Sequence, residues 1–236
     1  MIKEILFVIV VFVANIVEGV TGFAGTMLAM PVSMFLVGVE EAKVVLNIVA
    51  IIVSLNIAFR SWREMNRKEV VKISGFMLIG MSVGIYLFSV LPSVVLMKIY
   101  GALIICVAIR GLTVKKEMKI SNGGLVWVLF LSGVIHGMFL SGGALLVIYA
   151  VNALKEKSVI RATLAPVWII LNTLMLIQEW ISGRVTGKML GLTGACVIPV
   201  FVAIIIGSAL HKRIRQDVFV KLTYALLVIS GITLLT

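Results

Sequence analysis

The sequence predicts an all-α protein that crosses a membrane several times and is built from two related halves. Hydrophobic residues make up 61% of the 236 residues and charged residues only 13%, whereas a soluble domain carries about 25% charged residues. The charges are clustered, and the apolar stretches between them approach the roughly 20 residues that a spanning helix needs. A small cluster of glycines also interrupts an apolar stretch near the start of each half.

Helices are predicted rather than barrel strands because the apolar stretches are continuous. Stretches such as 44–58 and 197–210 lack the alternation of apolar and polar residues that is typical of membrane strands. Helices and closed barrels are the two structures that satisfy their backbone hydrogen bonds in hydrocarbon. The continuous stretches therefore favour membrane helices.

The duplication is visible as a constant spacing between matching residues. Glu18 matches His136 (136 − 18 = 118). Four further pairs have the same spacing: Gly19 with Gly137, Gly25 with Gly143, Lys43 with Arg161 and Trp62 with Trp180. We therefore expect repeat 1 at 1–113, a basic cytoplasmic linker at 114–123 and repeat 2 at 124–236. Duplication together with interrupted apolar helices is typical of secondary transporters, whose site lies where the breaks meet.

Each repeat is expected to contain one broken helix followed by three spanning helices. In repeat 1, the broken segment covers 5–38 with its break at 22–25, and the spans follow at 42–60, 72–90 and 94–112. In repeat 2, the broken segment covers 125–151 with its break at 141–143, and the spans follow at 160–178, 188–210 and 217–235.

The basic loops predict the orientation of the two repeats. Cytoplasmic loops carry an excess of Lys and Arg, which explains the net charge of +11 better than nucleic-acid binding does. The loops rich in Lys and Arg lie at 60–72, 110–119, 155–161 and 212–221, and all four face the cytoplasm if repeat 2 is inverted. Each broken segment must then enter and leave on one side as a re-entrant hairpin. The alternative is a single kinked span in each half, which makes the repeats parallel.

The glycines at the breaks are the first candidates for a substrate site. Glycine lets the backbone leave helical geometry, and the helix after the break begins with free N–H donors and a partial positive charge that suit an anion. The candidate substrate-binding residues at the breaks are Thr21, Gly22, Gly25, Thr26, Ser141, Gly142 and Gly143. Close helix packing is the alternative role of these glycines.

Polar residues inside the apolar segments form a second group of candidates. Asn47 and Asn172, in the span after each break, could donate to a substrate oxygen or could tie neighbouring helices together. Glu18 and His136 precede the two breaks and are candidates for proton coupling, because ionisable groups within a membrane span are costly and commonly functional. A structural cap on the broken helix is the alternative role of both.

Matching cations begin the span that follows each break. Lys43 and Arg161 are candidate charges at the mouth of the site, where they would draw anions inward. Snorkelling anchors are the alternative interpretation.

Enzyme and metal signatures are missing from the sequence. There are two His residues and neither a metal-spacing cluster nor a nucleotide-binding phosphate loop, so we expect no cofactor and no metal. Ser141 near His136 leaves an intramembrane hydrolase as a weaker alternative, because a Ser–His pair can supply a nucleophile. Phe139 stands where such a nucleophile motif would have a glycine.

The two glycine motifs resemble those of one transporter family. The stretch GFAGTMLAMP at 22–31 resembles the G-F-G-G-G…P motif of the TauE/SafE family of sulfite and organosulfonate exporters, and GMFLSGG at 137–143 resembles the second glycine motif of that family. Chain length, duplication and linker position agree, so the resemblance covers nearly all residues. The sequence departs from the family pattern at Ala24, Leu140 and Ser141, where glycines are usual.

The resemblance implies a multi-pass protein of the cell inner membrane that moves small sulfur-containing anions with an ion gradient. We therefore predict secondary-active transport of a sulfur oxyanion or organosulfonate across the cytoplasmic membrane by alternating access, with proton coupling as one option. A passive anion channel is the alternative. The expected partners are the small anion and the lipid bilayer, with a homodimer left open and no nucleic acid.

Overall fold

A computed structural model of the protein describes residues 2–21, 25–113, 121–154 and 156–211, together with positions 228, 232 and 235. The described part of the chain is helical and contains no strand. The prediction of an all-α polytopic membrane protein is confirmed. The predicted span at 217–235 and most of the linker lie outside the described residues, apart from those single positions.

The first half begins with two shorter helices and continues with three longer ones. They are α1 (Ile2–Thr21), α2 (Gly25–Val37), α3 (Val39–Ser61), a 3₁₀ turn (Trp62–Glu64), α4 (Arg67–Val90) and α5 (Ser93–Thr113). Gly38 separates α2 from α3 with φ at 92°, in the left-handed region that favours glycine. Asn66 caps α4, because its side chain accepts a hydrogen bond from the backbone N–H of Glu69.

The described part of the second half follows the same order of short and long helices. It contains α6 (Asn122–Phe139), α7 (Gly143–Leu154), α8 (Lys157–Ile181) and α9 (Gly187–His211). The first residues of α2 and α7 are 118 positions apart (143 − 25 = 118), and so are those of α3 and α8 (157 − 39 = 118). This spacing equals that of the matching residues in the sequence. The duplication itself stays a prediction.

Five helices of the described chain are long and apolar enough to cross a membrane. These candidate spans are Val39–Glu64, Arg67–Val90, Ser93–Arg110, Ser158–Ile181 and Gly187–Leu210. A helix of 24 residues is about 36 Å long, which exceeds the roughly 30 Å of the hydrocarbon core. The corresponding predicted spans fall within α3, α4, α5, α8 and α9.

At the second break the chain turns back on itself. The Ser132 hydroxyl of α6 donates to the backbone oxygen of Gly142 at 2.6 Å, although the two residues are ten positions apart. In a continuous helix ten residues rise by about 15 Å. Leu140 ends α6 in the left-handed conformation, with φ at 57°. This geometry favours a hairpin of α6 and α7 over one kinked span, and α1 likewise packs against α2.

Helices α3 and α8 pack against each other in antiparallel orientation. Lys43, near the start of α3, lies beside Glu179, near the end of α8, with Nζ and Oε1 3.8 Å apart. Past the other end of α3, the backbone N–H of Asn66 donates to Oγ1 of Thr163, near the start of α8, at 3.0 Å. The contacts therefore run in opposite order along the two helices.

Small residues allow two other pairs of helices to approach closely. Between α4 and α6, a Cβ added to Gly84 would collide with the backbone oxygen of Val134 and lie 3.1 Å from Cα of Gly137. Between α1 and α9, a Cβ added to Gly19 would lie 3.0 Å from Cα of Gly207. Such small-residue contacts are typical of membrane helix interfaces.

Replacing Gly84 with Ala is expected to destabilise the protein, because the new Cβ forces the backbones of α4 and α6 apart. Overpacking of this kind costs about 1–3 kcal/mol. Gly75→Ala on the same helix is the control, because its added Cβ meets nothing within 4 Å and Ala favours a helix by about 1 kcal/mol over Gly. Thermal unfolding in detergent measures the difference. Equal melting temperatures for the two variants would contradict the close contact.

Candidate functional site

Residues that flank the two chain breaks line a small internal cavity with a volume of about 20 Å³, which is room for one water molecule. Five residues of the first half and six of the second line it: Glu18, Thr26, Met27, Ala50, Ser54, His136, Leu140, Ser141, Gly143, Trp168 and Asn172. Three pairs among these are 118 positions apart, namely Glu18 with His136, Ala50 with Trp168 and Ser54 with Asn172. The cavity therefore lies between equivalent positions of the two halves.

At the first break, a carboxylate occupies the start of a helix. Glu18 lies near the end of α1 and is only 6% exposed, and its carboxylate accepts a hydrogen bond from the backbone N–H of Gly25, the first residue of α2. A Cβ added to Gly25 would collide with this carboxylate. The N-terminus of a helix favours negative charge. In this half the carboxylate of Glu18 therefore occupies the N-terminus of α2, the kind of position that suits a bound anion.

At the second break, the matching residue has different partners. His136 Nε2 donates to Oδ1 of Asn172 at 3.0 Å, and its ring lies against Trp168 with the ring centroids 5.1 Å apart. His136 Nδ1 is buried and has no hydrogen-bond partner within the described part of the chain. The two breaks therefore differ chemically, with a carboxylate capping the first helix and an imidazole held by an amide beside the second.

Tyr100 of α5 links the two breaks and was not among the residues predicted from sequence. Its hydroxyl hydrogen bonds with the hydroxyl of Ser141 at 2.5 Å and donates to the backbone oxygen of Met27 at 3.4 Å. Its ring stacks on Phe139 with a centroid separation of 4.5 Å. The available signal was a phenolic hydroxyl in the middle of an apolar span, because a buried tyrosine needs a hydrogen-bond partner.

The structure brings six of the predicted site residues to the cavity wall. They are Glu18, Thr26, His136, Ser141, Gly143 and Asn172. Gly25 and Gly142 lie directly beside these residues, where an added Cβ would collide with neighbouring atoms. Gly22 lies outside the described residues, and the side chain of Thr21 is not described. The part that each residue plays in substrate binding stays a prediction.

Asn47 and the two predicted mouth charges, Lys43 and Arg161, are not among the residues that line the cavity. Asn47 donates through Nδ2 to the backbone oxygen of Asn172 at 3.2 Å, so it ties α3 to α8. Lys43 is 1% exposed and faces Glu179, which places it inside the helix bundle and not at an open mouth. Arg161 is half-buried and interacts electrostatically with the carboxylate of Glu18.

The geometry of the site fits binding better than bond cleavage. Ser141 donates to the backbone oxygen of Phe139 at 3.0 Å and bonds with Tyr100, whereas His136 bonds with Asn172. A serine nucleophile needs direct contact with its base, and the structure engages these two side chains with other partners. Among the residues that the structure describes, no group of three or more His, Cys, Asp or Glu could hold a metal ion.

Comparison with known proteins gives a family for nearly the whole chain. The family described as sulfite exporter TauE/SafE matches residues 7–234. No curated protein and no solved structure matches the chain. The matched region includes both breaks, the cavity and every candidate span, so the resemblance of the glycine motifs is confirmed at the level of the family. This chain belongs to the sulfite exporter TauE/SafE family.

Proposed function

We propose that this protein is a secondary-active transporter that carries a small sulfur oxyanion, sulfite or an organosulfonate, across the cytoplasmic membrane by alternating access. The family description supports the substrate class, and the five candidate spans support a multi-pass membrane protein. The observation that carries the proposal is that residues beside both helix breaks line one internal cavity, to which both halves contribute polar side chains. Broken helices that meet inside the membrane are the usual site of secondary transporters.

The donors around the cavity suit an oxyanion. Helix α7 begins at Gly143 on the cavity wall, and a helix N-terminus carries a partial positive charge. The N–H groups of Leu145 and Leu146 donate to the backbone oxygen of Gly142, so the first two N–H groups of the helix are the candidate donors. Thr26 adds a hydroxyl group and Asn172 adds an amide, whereas the Ser141 hydroxyl would have to release the backbone oxygen of Phe139 before it could donate to an anion. Oxyanions form strong hydrogen bonds with such donors. The site thus needs no cation in direct contact with the substrate.

Transport requires the cavity to enlarge and to open on each side in turn. Its present volume of about 20 Å³ holds a water molecule, and a sulfur oxyanion is larger. Helices α3 and α8 match at the 118-residue spacing and pack in antiparallel orientation, which supports two inverted repeats. Inverted repeats related by an axis in the membrane plane can move against each other around a fixed central site.

Glu18 supports coupling of anion movement to protons. Its carboxylate faces the cavity and occupies the N-terminus of α2, where an entering anion would meet a like charge. Protonation of Glu18 would remove this repulsion. His136, the other ionisable residue of the cavity wall, is the second candidate.

A counterflow experiment tests the carrier mechanism. Purified protein in liposomes is expected to take up labelled sulfite faster when unlabelled sulfite is present inside, because a carrier returns more readily when loaded. Liposomes without protein are the control. Flux that neither saturates nor shows counterflow would assign the protein as a channel, and the absence of flux for every sulfur oxyanion would overturn the proposal.

A ligand screen tests the substrate class. Sulfite, thiosulfate or a small sulfonate is expected to raise the melting temperature of the purified protein, because a ligand that binds the folded form stabilises it. At a tenfold excess over Kd the gain is about 1.4 kcal/mol. Sulfate and short carboxylates serve as comparison anions. Stabilisation by carboxylates alone would contradict the proposed class.

Gly25→Val is expected to reduce sulfite flux more than tenfold while expression is retained, because the new side chain displaces Glu18 and blocks the start of α2. Gly194→Val on α9 is the matched control, because a Cβ there meets nothing within 4 Å. Flux into liposomes, normalised to folded protein, measures the effect. Equal flux for the two variants would show that the first break does not take part in transport.

Glu18→Gln is expected to abolish uptake driven by a pH gradient while preserving sulfite counterflow, because the amide fills the same space without taking up a proton. Glu64→Gln, at an exposed position of the 3₁₀ turn, should leave both activities unchanged. Sulfite uptake by each variant is measured with and without an imposed pH gradient. Persisting gradient-driven uptake in Glu18→Gln would assign proton coupling to another residue.

A further inference from the structure

A buried ion pair lies next to the cavity, in the contact between α3 and α8. Lys43 is 1% exposed, and its Nζ lies 3.8 Å from Oε1 of Glu179 and 3.7 Å from the centroid of the Phe88 ring. An N–H···O hydrogen bond is about 2.7–3.2 Å long. The two charges are therefore close enough to attract each other but too far apart to share a hydrogen bond.

Several polar atoms around this pair lack hydrogen-bond partners. Within the described part of the chain they include Nζ of Lys43, Oε2 of Glu179 and Oδ1 of Asn47. Buried polar groups are normally satisfied, and the desolvation of a buried ion pair can exceed its Coulomb attraction unless hydrogen bonds complete it. The carboxylate of Glu179 has the side chain of Asn47 as a further partner. The ammonium group of Lys43 has no hydrogen-bond partner within the described part of the chain, so its N–H donors are available to a ligand.

A line of polar contacts connects the cavity to Lys43. Asn172 is part of the cavity wall, and its backbone oxygen accepts a hydrogen bond from Nδ2 of Asn47 at 3.2 Å. Asn47 lies one helical turn from Lys43 on the same face of α3. The charge of Lys43 also acts on His136 on the cavity wall. An anion that left the cavity along the α3–α8 contact would meet Lys43 next.

The other end of the same contact carries a related arrangement. Arg161, which matches Lys43 at the 118-residue spacing, lies near the start of α8, and its charge acts on the carboxylate of Glu18. Because α3 and α8 are antiparallel, the two cations lie towards opposite ends of the helix pair. Each cation therefore interacts electrostatically with one carboxylate, Lys43 with Glu179 and Arg161 with Glu18.

We propose that Lys43 is a second anion-binding position, and that the carboxylate of Glu179 occupies it while the cavity is closed on that side. The inference rests on the proposed transport function. When the α3–α8 contact opens, the oxyanion replaces Glu179 at the ammonium group, which offers three N–H donors to the oxygen atoms. When the anion leaves, Glu179 returns to Lys43 and the side closes again. The expected ligand is a small oxyanion, such as sulfite or a sulfonate.

The test separates anion binding from structural support by removing both charges together. Lys43→Gln is expected to lower the melting temperature, because it leaves a buried carboxylate unpaired, and to reduce sulfite counterflow at least tenfold. The double variant Lys43→Gln with Glu179→Gln should recover the melting temperature but not the flux. Glu179→Gln alone retains the ammonium group without its competitor, so the KM for sulfite should fall severalfold.

An ion pair elsewhere in the molecule provides the matched control. Lys188 and Glu41 also join α9 to α3, with Nζ 3.0 Å from Oε1, but the lysine is 59% exposed. Replacing both with Gln should change neither flux nor melting temperature, because exposed pairs contribute about 0–1 kcal/mol. This control shows whether removal of any cross-helix ion pair would affect transport.

Two results would overturn the inference, and each has a different meaning. If the wild type transports sulfite and the double variant of Lys43 and Glu179 transports it at the wild-type rate, the pair is a structural contact and the proposed function stands. If the wild type moves no sulfur oxyanion at all, the proposed function fails and the second binding position fails with it.

Discussion

The fold depends on one constraint, which is that every backbone polar group inside hydrocarbon needs a partner. Two helix breaks violate the regular pattern, and side chains compensate for them. The hydroxyl of Ser132 bonds to the backbone oxygen of Gly142, and the carboxylate of Glu18 accepts the N–H of Gly25. Irregular backbone at membrane depth is tolerated where protein surrounds it or where it lines a cavity. Residues beside both breaks line the same cavity.

The two proposed repeats share the same order of helices, but they contribute different side chains to the wall of the cavity. Glu18 matches His136 in the sequence spacing, and Ala50 matches Trp168, and all four line the cavity. A similar scaffold in both halves suits a site that must open to either side, because the same rearrangement can occur in each direction. At matching positions the side chains differ in chemistry: Glu18 has a carboxylate, whereas His136 donates a hydrogen bond. In the proposed mechanism, the similar scaffold would support the movement, and the different wall residues would determine which anion binds.

Much of the fold could be predicted, because its signals are local. The span predicted at 42–60 corresponds to α3, and the break predicted at 141–143 overlaps the gap between α6 and α7, which begins at Gly143. Apolar length and glycine clusters can be read within one segment. The site was only partly predictable. Tyr100 fits an apolar span equally well whether or not it has a function, and its partner Ser141 is 41 positions away. No periodicity within α5 encodes that contact.

The sequence by itself determined the helical class, the membrane setting, the positions of the breaks and the family, because hydropathy, charge and glycine placement are properties of short segments. The tertiary structure decided which polar groups meet. The sequence predicts Lys43 at the mouth of the site, whereas the antiparallel packing of α3 and α8 buries it against Glu179, 136 positions later (179 − 43 = 136). The reason is physical: burial and pairing of a charge depend on which distant helix packs beside it, and a spacing along one helix carries no information about its neighbour.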